Sequence, residues 1–164
     1  MNCIYIYYEK PSVCPRYFKS SISLLKRLFG FDKIIMEPVD NISELTLPSH
    51  FPYPRILLTH GMVNFENSLV NFDGIGFSNH NIALVRYQSM FFDTIYLLAH
   101  EIGHLFGMAH CDSPNCLMGV YREGAQTRYS WCSLSKRRKI SSRLFCDSCK
   151  SLLYSRPITT EVGG

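Results

Sequence analysis

The chain has 164 residues, 46% of them apolar and 18% charged, with a net charge of +4. That is enough chain to bury one core, and too apolar a composition for disorder, so one globular domain is expected, or one domain with a small lobe. So modest a charge does not by itself mark a nucleic-acid binder, and no apolar run approaches the length of a membrane span.

The first nine residues carry no basic lead, long apolar stretch or small-residue cleavage site, so no secretory signal is read there. The expectation is therefore an intracellular, cytoplasmic protein, in which seven cysteines argue for metal binding before disulfides. Cys3 and Cys14 read most simply as buried or free thiols.

Residues 3–8 are apolar, aromatic and β-branched, the composition of a strand buried in a sheet. Pro15 opens a helical pattern with Phe18, Ile22, Leu25 and Phe29 on one face, Lys19, Lys26 and Arg27 outside it, and Gly30 at its end. Ile34 to Met36 reads as a second strand, stopped by Pro38. A strand, crossover helix and strand in succession favour parallel pairing.

Residues 38–54 read as an irregular surface connection in which His50 is solvated. Ile56 to Thr59 is a third strand. From His60 to Asn81 the chain is rich in Asn and Gly, with turn signals at Asp73-Gly74 and Ser78-Asn79, and reads as a long loop forming a cleft rim. His60 and His80 are taken as surface residues there. Ile82 to Val85 is a short strand, and Asp93 or Thr94 can cap a helix over about 92–106 whose Ile95, Leu98, Ile102 and Leu105 face a core.

That helix carries the chemistry. His100 and His104 lie about 40° apart on neighbouring turns, so both rings can converge on one ion. Glu101, rotated by roughly 100° from His100, is placed to touch a metal-bound water instead of the metal. A helix continued past Gly107 would carry His110 roughly 9 Å further along the axis and out of reach. Gly107 can end it in the left-handed conformation and turn the chain back. Three His ligands leave the fourth position of a tetrahedral zinc open, as a catalytic site requires.

After His110 few apolar residues recur with any period, and a lobe with so little core needs a staple. The thiols of Cys111, Cys116, Cys146 and Cys149 have the short spacings of a tetrahedral zinc site. Because Cys111 follows His110 directly, such a site would fix the chain delivering the third His. Cys132 stands as an alternative to Cys146. Lys136 to Lys139 form a basic cluster, read as a solvated loop.

The run from His100 to His110 resembles the metzincin zinc-peptidase signature, and Cys111, Cys116, Met118, Cys146 and Cys149 after it are similar to the pattern of the archaemetzincin family. The likeness covers residues 100–149. It implies an α+β, zincin-like fold: a mixed twisted sheet with an antiparallel edge strand, two main helices and a small zinc-stapled C-terminal lobe. Residues 1–110 would form the N-terminal subdomain, 111–156 the lobe, and 157–164 a flexible tail. Ile82, Ala83, Leu84 and Val85 would be the edge strand along which an extended peptide lies.

The resemblance further implies Met118 as a packing floor beneath the His ligands, and a zinc metallopeptidase, endo- or aminopeptidase, with two Zn2+ per chain: one catalytic, on His100, His104 and His110, and one structural, on the four Cys. Two departures stand out. Some 27 residues separate Met118 from Cys146, more than in the family, whose first downstream Cys falls here on Lys136; an insertion carrying Trp131, Cys132 and the basic cluster accounts for this. The Tyr that some metzincins place two residues after the Met is Val120, with Tyr121 next to it.

The expected partner is a peptide or protein substrate met by a monomer, without membrane or nucleic acid. The rival readings are a non-catalytic zinc protein that binds peptides or a partner on the same scaffold, against which the intact Glu101 argues, and a nucleic-acid module built on the four Cys and the basic cluster.

Overall fold

The computed structural model describes residues 3–10, 15–42, 53–60, 63–65, 68–70, 73–77, 80–88, 91–131 and 144–155. Cys14, His50, Ser78, Asn79, Cys132, the cluster at 136–139 and the tail 157–164 lie outside them.

A five-stranded sheet forms the frame. Its strands are β1 (Cys3–Glu9), β2 (Lys33–Val39), β3 (Arg55–Thr59), β6 (Gly74–Phe77) and β7 (Ile82–Arg86), in the order β2-β1-β3-β7-β6. The first four of that order run parallel and β6 runs antiparallel to β7. Between β3 and β6 lies a small hairpin of β4 (Val63–Phe65) and β5 (Ser68–Val70), where the sequence reads as loop. Three helices are described, α1 (Pro15–Phe29), α2 (Phe91–Leu105) and α3 (Asp147–Ser155), the last of which the sequence reading did not anticipate.

The identity of the edge strand corrects an expectation. Ile82 to Val85 is an interior strand, paired on one side with β3 and on the other with β6, and its four residues are buried. Continuous apolar runs are what parallel interior strands need, since both faces are covered. Ile56 pairs with Ala83 and Leu58 with Val85 towards the helices; Leu57 pairs with Leu84 on the other face, in a second apolar cluster with Ile42, Ile75 and Phe77. Pro38 also departs from expectation, for β2 runs through it opposite Tyr8. It is tolerated because β2 is the outer strand of the sheet, with no partner on its far side among the described residues.

Helix α1 begins at Pro15, buries Leu25 and Phe29 with Leu24 and Leu28, and closes at Gly30 with a φ of 66°. Helix α2 is buried almost all round, because it lies between the sheet and the C-terminal residues. It starts at Phe91, so Thr94 lies inside it; the Thr94 hydroxyl instead accepts the N–H of Gln88 and ties the incoming chain to the first turn. Among the described residues, Cys116, Leu117, Met118, Trp131, Leu144, Phe145 and Cys149 join the same core cluster as the sheet and α2. No described helix is long and apolar enough to cross a membrane.

Candidate metal centre and active site

The end of α2 shows how the third His is delivered. Gly107 has a φ of 76°; its N–H bonds the His104 carbonyl at 2.8 Å, and the Met108 N–H reaches the Gly103 carbonyl at 3.0 Å. These paired bonds form a Schellman motif, which stops the helix and reverses the chain. His110 is thereby brought back: the three Nε2 atoms of His100, His104 and His110 lie 3.1, 3.2 and 3.3 Å from one another.

Nitrogen donors held about 2.0–2.1 Å from a tetrahedral zinc lie roughly 3.3 Å apart, so the cluster has the size that ion needs. Tautomers agree. The Nδ1–H of His100 donates to the Leu117 carbonyl at 2.8 Å and that of His104 to the Met108 carbonyl at 2.9 Å, leaving each Nε2 with a lone pair turned inward. Burial, with the neighbouring rings, lowers the pKa of His100 to about 4, and burial lowers those of His104 and His110. Neutral imidazoles facing one point suit a cation.

Glu101 is buried against the edge strand. A Cβ built on Gly74 would lie 2.4 Å from its Oε1, and one on Gly76 would lie 3.0 Å from His104 Cβ. Its Oε2 has no hydrogen-bond partner among the described residues. Burial pushes its pKa up to about 8. On the other side of the helix Gly103 rests on Met118, where an added Cβ would come within 2.5 Å of Sδ.

A cleft of about 600 Å3 holds these groups between β6 and a hairpin made of β8 (Val120–Glu123) and β9 (Gln126–Tyr129). The hairpin turns at Gly124, with a φ of 62°, and brings Tyr129 edge-on to two imidazoles, at 6.1 Å from His100 and 5.7 Å from His110. Trp131 also lines the cleft. Tyr129 was missed from sequence; the signal was Gly124 flanked by four-residue runs that pair as a hairpin. Tyr121 lines a separate cavity with Asp112 and Arg122. His60 stacks on Tyr87 at 4.3 Å, away from the cluster.

The Sγ atoms of Cys111, Cys116, Cys146 and Cys149 lie within 4.8 Å of one another, with Cys146 and Cys111 at 4.0 Å. Tetrahedral thiolates about 2.3 Å from zinc fit in that space after a small contraction. The Cys146 N–H points at Cys116 Sγ at 3.3 Å. Burial raises the Cys116 thiol to about 11 and that of Cys149 as well. A cation among them would reverse that preference. Cys3 is a buried free thiol.

A helix with two His one turn apart, an open-sided third His after a glycine stop and a Met beneath defines a zincin-like peptidase scaffold. The chain matches peptidase family M54 over residues 62–153, and belongs to that archaemetzincin family. It is 33% identical over 57 residues to an archaemetzincin of Haloquadratum walsbyi, a stretch covering 35% of this chain and 27% of that one. Its fold is similar to that of an archaemetzincin from Methanopyrus kandleri, with a TM-score of 0.61, 17% identity and 93% of each chain covered. A zinc-dependent peptidase from Methanocorpusculum labreanum is also similar, with a TM-score of 0.57, 18% identity, and 92% of this chain and 99% of that one covered.

Proposed function

We propose that the protein is a zinc-dependent metallopeptidase in which His100, His104 and His110 hold the catalytic ion and Glu101 is the general base. The observation that carries this is the inward-facing trio of Nε2 atoms, 3.1–3.3 Å apart, beside a buried carboxylate whose Oε2 has no partner among the described residues. A zinc ion there would polarise the scissile carbonyl and lower the pKa of a bound water towards about 7.

The protein's own groups do the rest. Glu101 takes the proton of the attacking water as its oxygen bonds the carbonyl carbon, then passes it to the leaving amine nitrogen. Although burial raises its pKa, a nearby positive charge favours the carboxylate and restores a base. The peptide lies extended along β6, whose outer edge has no strand partner among the described residues, and pairs through backbone groups. Cys111, Cys116, Cys146 and Cys149 hold a second, structural zinc.

Comparing the native chain with Glu101→Gln tests both assignments. Two zincs per chain in each protein, with digestion of a peptide library only by the native one, is the expected result. Turnover retained in Glu101→Gln excludes it as the base. Zinc bound without any cleavage by the native chain favours a peptide-binding scaffold.

A further inference from the structure

We infer that the Leu117 backbone is a positioning element through which the four-Cys cluster sets the orientation of His100, so that the two metal clusters bind in a coupled way. The inference rests on the reading above that both clusters take metal.

The chain of contacts is short and buried. The Leu117 carbonyl accepts the His100 Nδ1–H at 2.8 Å, which fixes the ring and raises the basicity of the opposite nitrogen. The Leu117 N–H in turn donates to the Leu144 carbonyl at 2.6 Å. From Leu117 both the chain and this bond lead into the thiol cluster. Cys116 directly precedes Leu117; Leu144 stands two residues before Cys146, whose own N–H donates to Cys116 Sγ at 3.3 Å. Cys116, Leu117 and Met118 are fully buried.

A second tie serves His110. Its neighbour Cys111 donates its N–H to the Met118 carbonyl at 3.0 Å and accepts that of Val120 at 2.8 Å. Two of the three imidazoles are thus referenced to the thiols. His104 is not, since its Nδ1–H bonds the Met108 carbonyl at the end of its own helix. Loosening the thiol cluster frees the Leu117 carbonyl to move, and an imidazole whose outer partner is displaced binds metal on the order of 10–100-fold more weakly.

Cobalt(II) titrated into the metal-free full-length chain under reducing conditions reads both sites separately. Thiolate-to-cobalt charge-transfer absorption reports the four Cys, and weak visible bands report the three His. In Cys149→Ser the cobalt affinity of the three-His site is expected to fall by about 10–100-fold. Because coupling between sites is reciprocal, cobalt in the four-Cys site of His104→Ala should be lost to a competing chelator at a concentration lower by the same factor than in the native chain. This second arm does not depend on Cys149→Ser folding. Affinities unchanged in either folded variant overturn the coupling. A native chain in which the three-His bands never develop overturns the metal reading itself, along with the coupling.

Discussion

Gly74→Ala tests the placement of the base without replacing any group that does chemistry. The new Cβ would lie 2.4 Å from Glu101 Oε1 and 2.8 Å from its Cδ and Cγ, where ordinary contact begins at 3.4 Å. The carboxylate must retreat by about 1 Å. A displacement of that size at a reacting group lowers turnover by about 100-fold, or about 2.7 kcal/mol of transition-state stabilisation. Gly74 does not have a positive φ, and alanine is no worse than glycine in a strand, so stability should hold. The assay is kcat and KM on a cleaved peptide, with zinc content and Tm measured on the same sample. Expected is a loss in kcat with both zincs retained, and a smaller loss in Gly76→Ala, where the approach is 3.0 Å to His104 Cβ and 3.4 Å to Glu101 Oε2. Gly74→Ala within threefold of native kcat would refute the claim that β6 sets the position of Glu101.

Three further outcomes follow from other contacts. Gly107→Ala places a Cβ at a φ of 76°, costing about 1–2 kcal/mol. Its Tm should fall by roughly 2–8 °C in a chain of this size, and an unchanged melt would show that the helix stop needs no glycine. At Glu9 burial alone would raise the pKa, but the N–H groups of His60 and Ile42 and the Thr59 hydroxyl outweigh it and hold the value low. A depressed folded pKa means stability present above the ordinary carboxylate value and lost as pH falls through the folded one. The urea midpoint of the native chain should therefore drop more steeply on acidification than that of Glu9→Gln; parallel slopes would contradict this. Tyr129→Ala removes a ring set edge-on to His100 and His110, and should raise KM several-fold while Tyr129→Phe is silent. Equal losses in both would assign the effect to the hydroxyl.

The helix with its two His and the glycine stop that returns the third were legible because they are local: spacing on one helix and one left-handed residue contain the geometry. The parallel pairing of β1 and β2 was legible for a similar reason, a helix of crossover length between them. Sheet position is not local. Ile82 to Val85 carries the same four apolar residues whether it lies inside the sheet or at its edge, and only the pairing with β6 distinguishes them. Nor is the bond from His100 to a carbonyl 17 residues away written in any side chain, because its acceptor is backbone. Tyr129 lies between Met118 and Cys146, where no family position points to it.

Strand β6, within the stretch that the sequence presents as a loop, has a pattern of its own. In β6 the residues alternate Gly74, Ile75, Gly76, Phe77. Successive strand residues point to opposite faces, and here Ile75 and Phe77 pack into the second apolar cluster while the two glycines face Glu101 and His104. Glycine weakens a strand, and one at every second position makes sense where another element must approach the backbone itself. The helix does so, and any side chain at 74 or 76 would hold its carboxylate and imidazole off. A period-2 pattern therefore exists in this stretch, with one phase apolar and the other empty. Hydrophobicity sees only half of it, and the missing half marks where helix α2 is seated.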